Sequence, residues 1–201
     1  GWFPEYGHAD PGYLGITCAW LARYHRIAHD QRAREALERA LGFLHHLVGP
    51  GGVFAGPIGV RDATYLLTCG PLLAPVECHS ARPLAASSLC ALRSGRLAAS
   101  DAVDDRYLAF FFAPDLVEAM LLADDPGLPR PTPPHARHFP RSGLLSVRND
   151  DLHLMIALSK GGALLAGSVR ADRPVLWDAG WQATDDHGTV WASSWPGSSR
   201  V

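Results

Sequence analysis

Lysine is almost missing from this chain of 201 residues, where Lys160 stands alone against seventeen arginines. Twenty acidic residues balance the bases to a net charge of −2, and the arginines form no stripe, so a nucleic-acid surface is not expected. No apolar run is long enough for a membrane span, and the first residues lack the basic start and apolar stretch of a signal peptide. The four cysteines, Cys18, Cys69, Cys78 and Cys90, show none of the paired short spacings of a structural zinc site. They are expected to be buried free thiols, with a disulfide between two of them as the alternative. No grouping of His, Asp and Glu has metal-ligand spacing either, so neither metal nor cofactor is expected.

Glycine and proline are plentiful, and they cluster. The opening stretch GWFPEYGHADPGY gathers Trp2, Phe3, Tyr6 and Tyr13 with Glu5, His8 and Asp10 before a helix. Flat apolar rings with polar edges and titratable groups at the rim suit a sugar ring; the alternative is that the rings pack the loop onto the core. Asp10-Pro11-Gly12 sets where the loop stops, Asp as N-cap and Pro at the first helical position.

Helical spacing follows from Gly12 to about Ala28, with Leu14, Cys18, Leu21 and Ala22 on one face and a basic, His-rich last turn. Asp30 caps a second helix whose stripe is Ala33, Ala36, Leu37, Ala40, Leu41, Leu44 and Val48, with Glu35 and Arg39 as a surface pair. His45 and His46 close it, explained there by the helix dipole. Gly49-Pro50-Gly51-Gly52 ends it, and a second Gly/Pro-rich loop delivers Arg61, Asp62, Thr64 and Tyr65 to the next apolar segment. A third helix is predicted over Pro75 to Leu92, and a fourth over about Ser100 to Leu122 with a break near Pro114.

Residues 125–140, with six prolines in Asp124 to Pro140, read as an extended, stiff linker in which His135 and His138 are solvated. Beyond it the period changes to two. Leu144 to Arg148, Leu152 to Ser159 and Ala163 to Val169 read as antiparallel strands joined by hairpins, with Val175 to Trp177 and Thr189 to Trp191 as further candidates. Trp177, Trp181, Trp191 and Trp195 are assigned to core and hairpin packing. The expected fold class is α+β: an α/α toroid portion of αα-hairpins over 1–124, the linker, and the start of an antiparallel β-sandwich over 141–201. A start without Met, on a loop already under way, predicts a piece of a longer protein.

The order GWFPEYGHADPGY, two helices, GVRDATY in a glycine loop, DDRYLAFFF, then FPRSGLLSVRNDD and LSKGGALLAG resembles bacterial heparinase II/III-like and alginate-lyase-like proteins. The resemblance covers most of the chain and implies an α/α toroid followed by a β-sandwich. In that family the glycine loop tends to carry an acidic residue and an Arg-Asn pair. Pro57 and Asp62 stand in those places here, while Arg61 and Tyr65 are retained.

A polysaccharide lyase removes the proton beside a uronate carboxylate and expels the linked sugar oxygen. It needs a group to neutralise the carboxylate, one to take the proton and one to return a proton to the leaving oxygen. Arg61, with its planar fork, suits the first role, and His8 and Tyr65 suit the other two. Trp2, Glu5, Tyr6, Tyr13, Asp62 and His79 are the substrate-binding candidates, and the partner is an acidic polysaccharide or oligosaccharide. Each has a plainer reading: Arg61 pinning a loop carbonyl, Tyr65 as a core ring, His8 as a capping or surface residue. Two alternatives remain open. One is glycoside hydrolysis by paired carboxylates, Glu5 or Asp10 with Asp62 or Glu77; the other is glycan binding without catalysis.

Overall fold

Aspartates begin the first two helices. The computed structural model describes residues 1–3, 9–49, 52, 69–95, 108–122, 124–129, 132–158, 162–170, 176–178 and 182–192. In it α1 spans Pro11–Ala28 and α2 spans Gln31–His45. Asp10 accepts the Tyr13 N–H at 3.0 Å, and Asp30 accepts those of Arg32 and Ala33 at 2.7 and 3.3 Å, filling bonds that a first turn leaves open. His29 closes α1 in the left-handed region (φ 52°), its N–H donating to the His25 carbonyl, and α2 folds back against α1. The surface pair that forms on α2 is Arg34 with Glu38, at 4.0 Å, while Glu35 accepts from Gln31.

The small residues of α1 admit a close neighbour. α3 (Cys69–Leu73) lies so near that a Cβ on Gly70 would fall 2.8 Å from the Ala19 nitrogen and 2.9 Å from the Cys18 carbonyl carbon. α4 is Ala81–Arg93, shorter than the expected Pro75 to Leu92. Pro83 explains the difference, because its ring would collide with the carbonyl four residues back and it carries no N–H, so the helix starts just before it. Turns fill the interval, with Cys78 N–H bonded to the Pro75 carbonyl and Ala81 N–H to that of Cys78. The expected break near Pro114 is present: a π-helical turn, Leu108–Phe112, precedes α5, Ala113–Leu122. Residues 100–107 of that expected helix lie outside the described residues.

Five strands follow in sequence order, each antiparallel to the next: β1 His135–Phe139, β2 Leu144–Arg148, β3 Leu152–Ala157, β4 Ala163–Ser168 and β5 Leu176–Asp178. The three hairpin strands expected from the period-two pattern are β2, β3 and β4. β1 corrects the linker reading, since the last residues of 125–140 pair with β2 from His135↔Arg148 to Phe139↔Leu144. The proline run stops at Pro134, and His135 to Phe139 have N–H groups free to join a ladder. β6 (Gln182–Thr184) and β7 (Val190–Ala192) make a separate two-stranded ribbon. Trp191 on that ribbon is exposed, with Nε1 donating to Asp185 at 3.3 Å, so it is not a core residue. The side chains of Trp177, Trp181 and Trp195 lie outside the described set.

Helices and sheet share one core. Leu37, Leu41, Leu44 and Leu47 join Leu84 from α4 and Leu144, Met155 and Leu165 from the sheet in a single cluster. Phe43 meets Phe139 edge to face at 4.9 Å, so the end of α2 rests on β1. Alternation along the strands puts Leu144, Ser146, His153, Met155, Ala157, Ala163 and Leu165 on the buried face. The architecture is mixed helix and antiparallel sheet. Among the described residues no helix is long and apolar enough to cross a membrane, and all four cysteines are free thiols.

Candidate functional site

The described residues that follow the two motif stretches, Asp10 and Cys69–Gly70, are tied to α1. The first enters it at Asp10, buried to 3 % exposure with its carboxylate on the Tyr13 N–H; Trp2 at the loop's other end is half-buried against the core. Residues 53–68 lie outside the described residues, and Cys69 after them begins α3. The Cys69 N–H donates to Asp115 Oδ2 at 2.7 Å and its thiol to Glu118 Oε2 at 3.4 Å. Arg23 of α1 closes the network, its Nε bonded to Glu118 and its Nη2 3.3 Å from Asp115 Oδ1. Trp20 lies beside it, 5.4 Å from ring centroid to guanidinium.

Burial pushes the Asp115 carboxyl above its ordinary value against the pull of the Cys69 N–H and Arg23, and burial also pushes the Cys69 thiol up. Both Asp115 oxygens are engaged and the thiol is held as a donor, so this constellation is a clamp and not a proton-transfer or nucleophilic centre. It holds the start of α3 against α1 and α5.

A second polar group sits at the seam between α2 and the sheet. Ser146 Oγ donates to the His46 carbonyl at 2.7 Å, with His135 Nε2 at 3.0 Å and His153 Nε2 at 3.5 Å. The His46 and His135 rings stand edge to face at 4.7 Å, and His135 and His153 at 6.1 Å. Burial drives His46 down to about 4 and His153 to about 3, with neighbouring basic groups adding to both shifts. His46 and His153 are therefore neutral near pH 7, which corrects the dipole explanation for His46. His135, expected in solvent, is half-buried, and His138 is exposed as expected. Among the described residues no group of three or more His, Cys, Asp or Glu could hold a metal ion.

Comparison with protein-family models, with curated proteins and with solved structures finds no match. The chain is read on its own chemistry.

Of the site residues expected from sequence, Glu5, Tyr6, His8, Arg61, Asp62 and Tyr65 lie outside the described residues. Tyr13 is half-buried in the first turn of α1, two residues from buried Pro11. His79 is exposed on the connection between α3 and α4, where it lines a cleft of about 360 Å³ with Val76, Cys78, Arg82, Pro126 and Leu128. The described lining includes neither Trp2 nor Tyr13. Asp10 is committed as a helix cap, and Glu77, its possible carboxylate partner, is exposed.

Sequence reasoning passed over Arg23, Asp115, Glu118, Ser146 and His153. Asp115 and Glu118, three apart in the apolar stretch PDLVEAMLL, were the available signal, because that spacing puts both carboxylates on one helix face.

Proposed function

We propose that this chain is a polysaccharide lyase-like protein that cleaves an acidic, uronate-containing polysaccharide by β-elimination, built as part of an α/α toroid followed by a β-sandwich. In this reading Arg61 binds the uronate carboxylate through two parallel hydrogen bonds and lowers the cost of the carbanion-like transition state. His8 and Tyr65 exchange the protons, one abstracting from the carbon beside the carboxylate and the other protonating the leaving oxygen. Trp2, Glu5 and Tyr6 form a sugar subsite with Tyr13, while Asp62 and His79 contact the polymer.

The observation that carries the reading is that the residues following both motif stretches, Asp10 and Gly70, lie on α1. Asp10 begins the helix and Gly70 lies against Cys18 and Ala19, so the anchors are about 12 Å apart at 1.5 Å rise per residue. Tyr65 is four residues before Cys69 and His8 two before Asp10, a combined reach of about 20 Å at the extended limit. The chain is thus long enough for both side chains to attend one bond. The order of helical pairs and then an antiparallel sheet gives coarser support.

Incubation with a panel of uronate polymers, followed by the ultraviolet absorbance of the new carbon-carbon double bond, tests the reading. Arg61→Ala and Tyr65→Phe should each lower the rate at least a hundredfold. Retention of activity in the double variant overturns the assigned roles.

A further inference from the structure

We propose that the histidine cluster at the seam between α2 and the sheet is an acid-sensitive latch, closed at neutral pH and released when His46 and His153 take up protons. Ser146 is its hub. A hydroxyl has one proton, which goes to the His46 carbonyl at 2.7 Å, so any ring nitrogen bonded to Ser146 Oγ must bring its own hydrogen. His153, 1 % exposed, does so through Nε2 as a neutral ring, leaving Nδ1 buried with no partner among the described residues. A proton added at that nitrogen would be an unsatisfied N–H on a buried cation. The Nδ1 of His46 is in the same position.

Among the described residues no acidic side chain influences these rings, and the one carbonyl beside the cluster, that of Pro133, accepts from His135 Nδ1 at 3.0 Å and leaves the Nδ1 atoms of His46 and His153 unserved. The strand register sets His135 opposite Arg148, Arg148 opposite His153, and His153 opposite Gly167, which carries no side chain. The end of α2 contributes His45 and His46, β1 His135 and Arg137, β2 Arg148 and β3 His153. The electrostatic influences on His45, His46 and His153 come from these groups, and all of them are basic. With ring centroids 4.7 and 6.1 Å apart, a second proton in the cluster repels the first. The relief available is to let the end of α2 part from β1–β3, breaking the Ser146 bond and the Phe43–Phe139 contact.

Hydrogen exchange of the protein at pH 7.5 and pH 5.0 tests this directly. Amides of β1–β3 and of the last turn of α2 should lose protection at least tenfold more than those of α1 and α3, correcting for the intrinsic effect of pH. The His46→Gln/His153→Gln double variant should remove most of the difference. Ser146→Ala, which frees the hub without removing a titrating ring, should weaken protection of the same amides at both pH values. Uniform loss across all helices and strands, or rings that titrate near pH 6.5 with protection unchanged, would overturn the proposal.

Discussion

Replacing Gly70 with alanine sets two physical effects against each other. Alanine is the better helix former, and in an unobstructed helix interior the change stabilises by up to about 1 kcal/mol. At Gly70 the added carbon meets the Ala19 nitrogen at 2.8 Å, the Cys18 carbonyl carbon at 2.9 Å and the Cys18 Cβ at 3.0 Å. Two of these are backbone atoms of α1 and cannot rotate away, so α3 must back off by about half an ångström and loosen the packing around buried Cys18 and Cys69. Overpacking of this kind costs about 1–3 kcal/mol, and after the propensity gain a net loss of about 0–2 kcal/mol remains. For a chain of this size that lowers the melting temperature by up to about 8 °C. Gly42 in α2 is the control, because its nearest neighbour would be Ser80 Oγ at 3.9 Å, and Gly42→Ala should stabilise by about 0.5–1 kcal/mol. Urea unfolding of the two variants beside the parent reads both signs. A Gly70→Ala protein stabilised as much as the Gly42→Ala control would refute the close α1–α3 contact.

Asp115→Ala should cost about 2–4 kcal/mol by the same assay, since it leaves the buried Cys69 N–H without its acceptor and Arg23 with Glu118 as its remaining carboxylate; Asn at that position should recover part of it. Asp10→Ala removes a side-chain cap and should cost about 1 kcal/mol. Stability should fall between pH 7.5 and 5.0. The folded values of His153 and His46 lie below the ordinary 6.5, so the unfolded chain binds more protons as the pH drops through that value. Fully buried His153 removes about 2 kcal/mol by pH 5, and the partly buried His46 somewhat less. Unfolding midpoints unchanged over that range would contradict the burial assigned to both rings.

Local chemistry was legible in the sequence and distant pairing was not. Asp10 and Asp30 announce helix starts, the α2 stripe from Ala33 to Leu44 announces its buried face, and turn residues at Asn149-Asp150-Asp151 place a hairpin. Each of these rests on neighbours within a few residues. β1 was missed because prolines dominate its surroundings, although only five residues without them are needed for a strand. The Ser146 bond to His46 joins positions 100 residues apart and the Arg23–Asp115 pair positions 92 apart, separations that carry no periodic trace. His46 could be assigned to the helix dipole from sequence, yet the sheet packed over it makes the ring neutral.

The mass of the products formed from a uronate oligosaccharide tests the functional account most directly. Elimination yields fragments whose summed mass equals that of the substrate and one of which bears an unsaturated terminal sugar. Hydrolysis yields fragments heavier in sum by one water. The account predicts the first outcome, abolished by Arg61→Ala. The second, or an oligosaccharide returned intact by the protein, would contradict it.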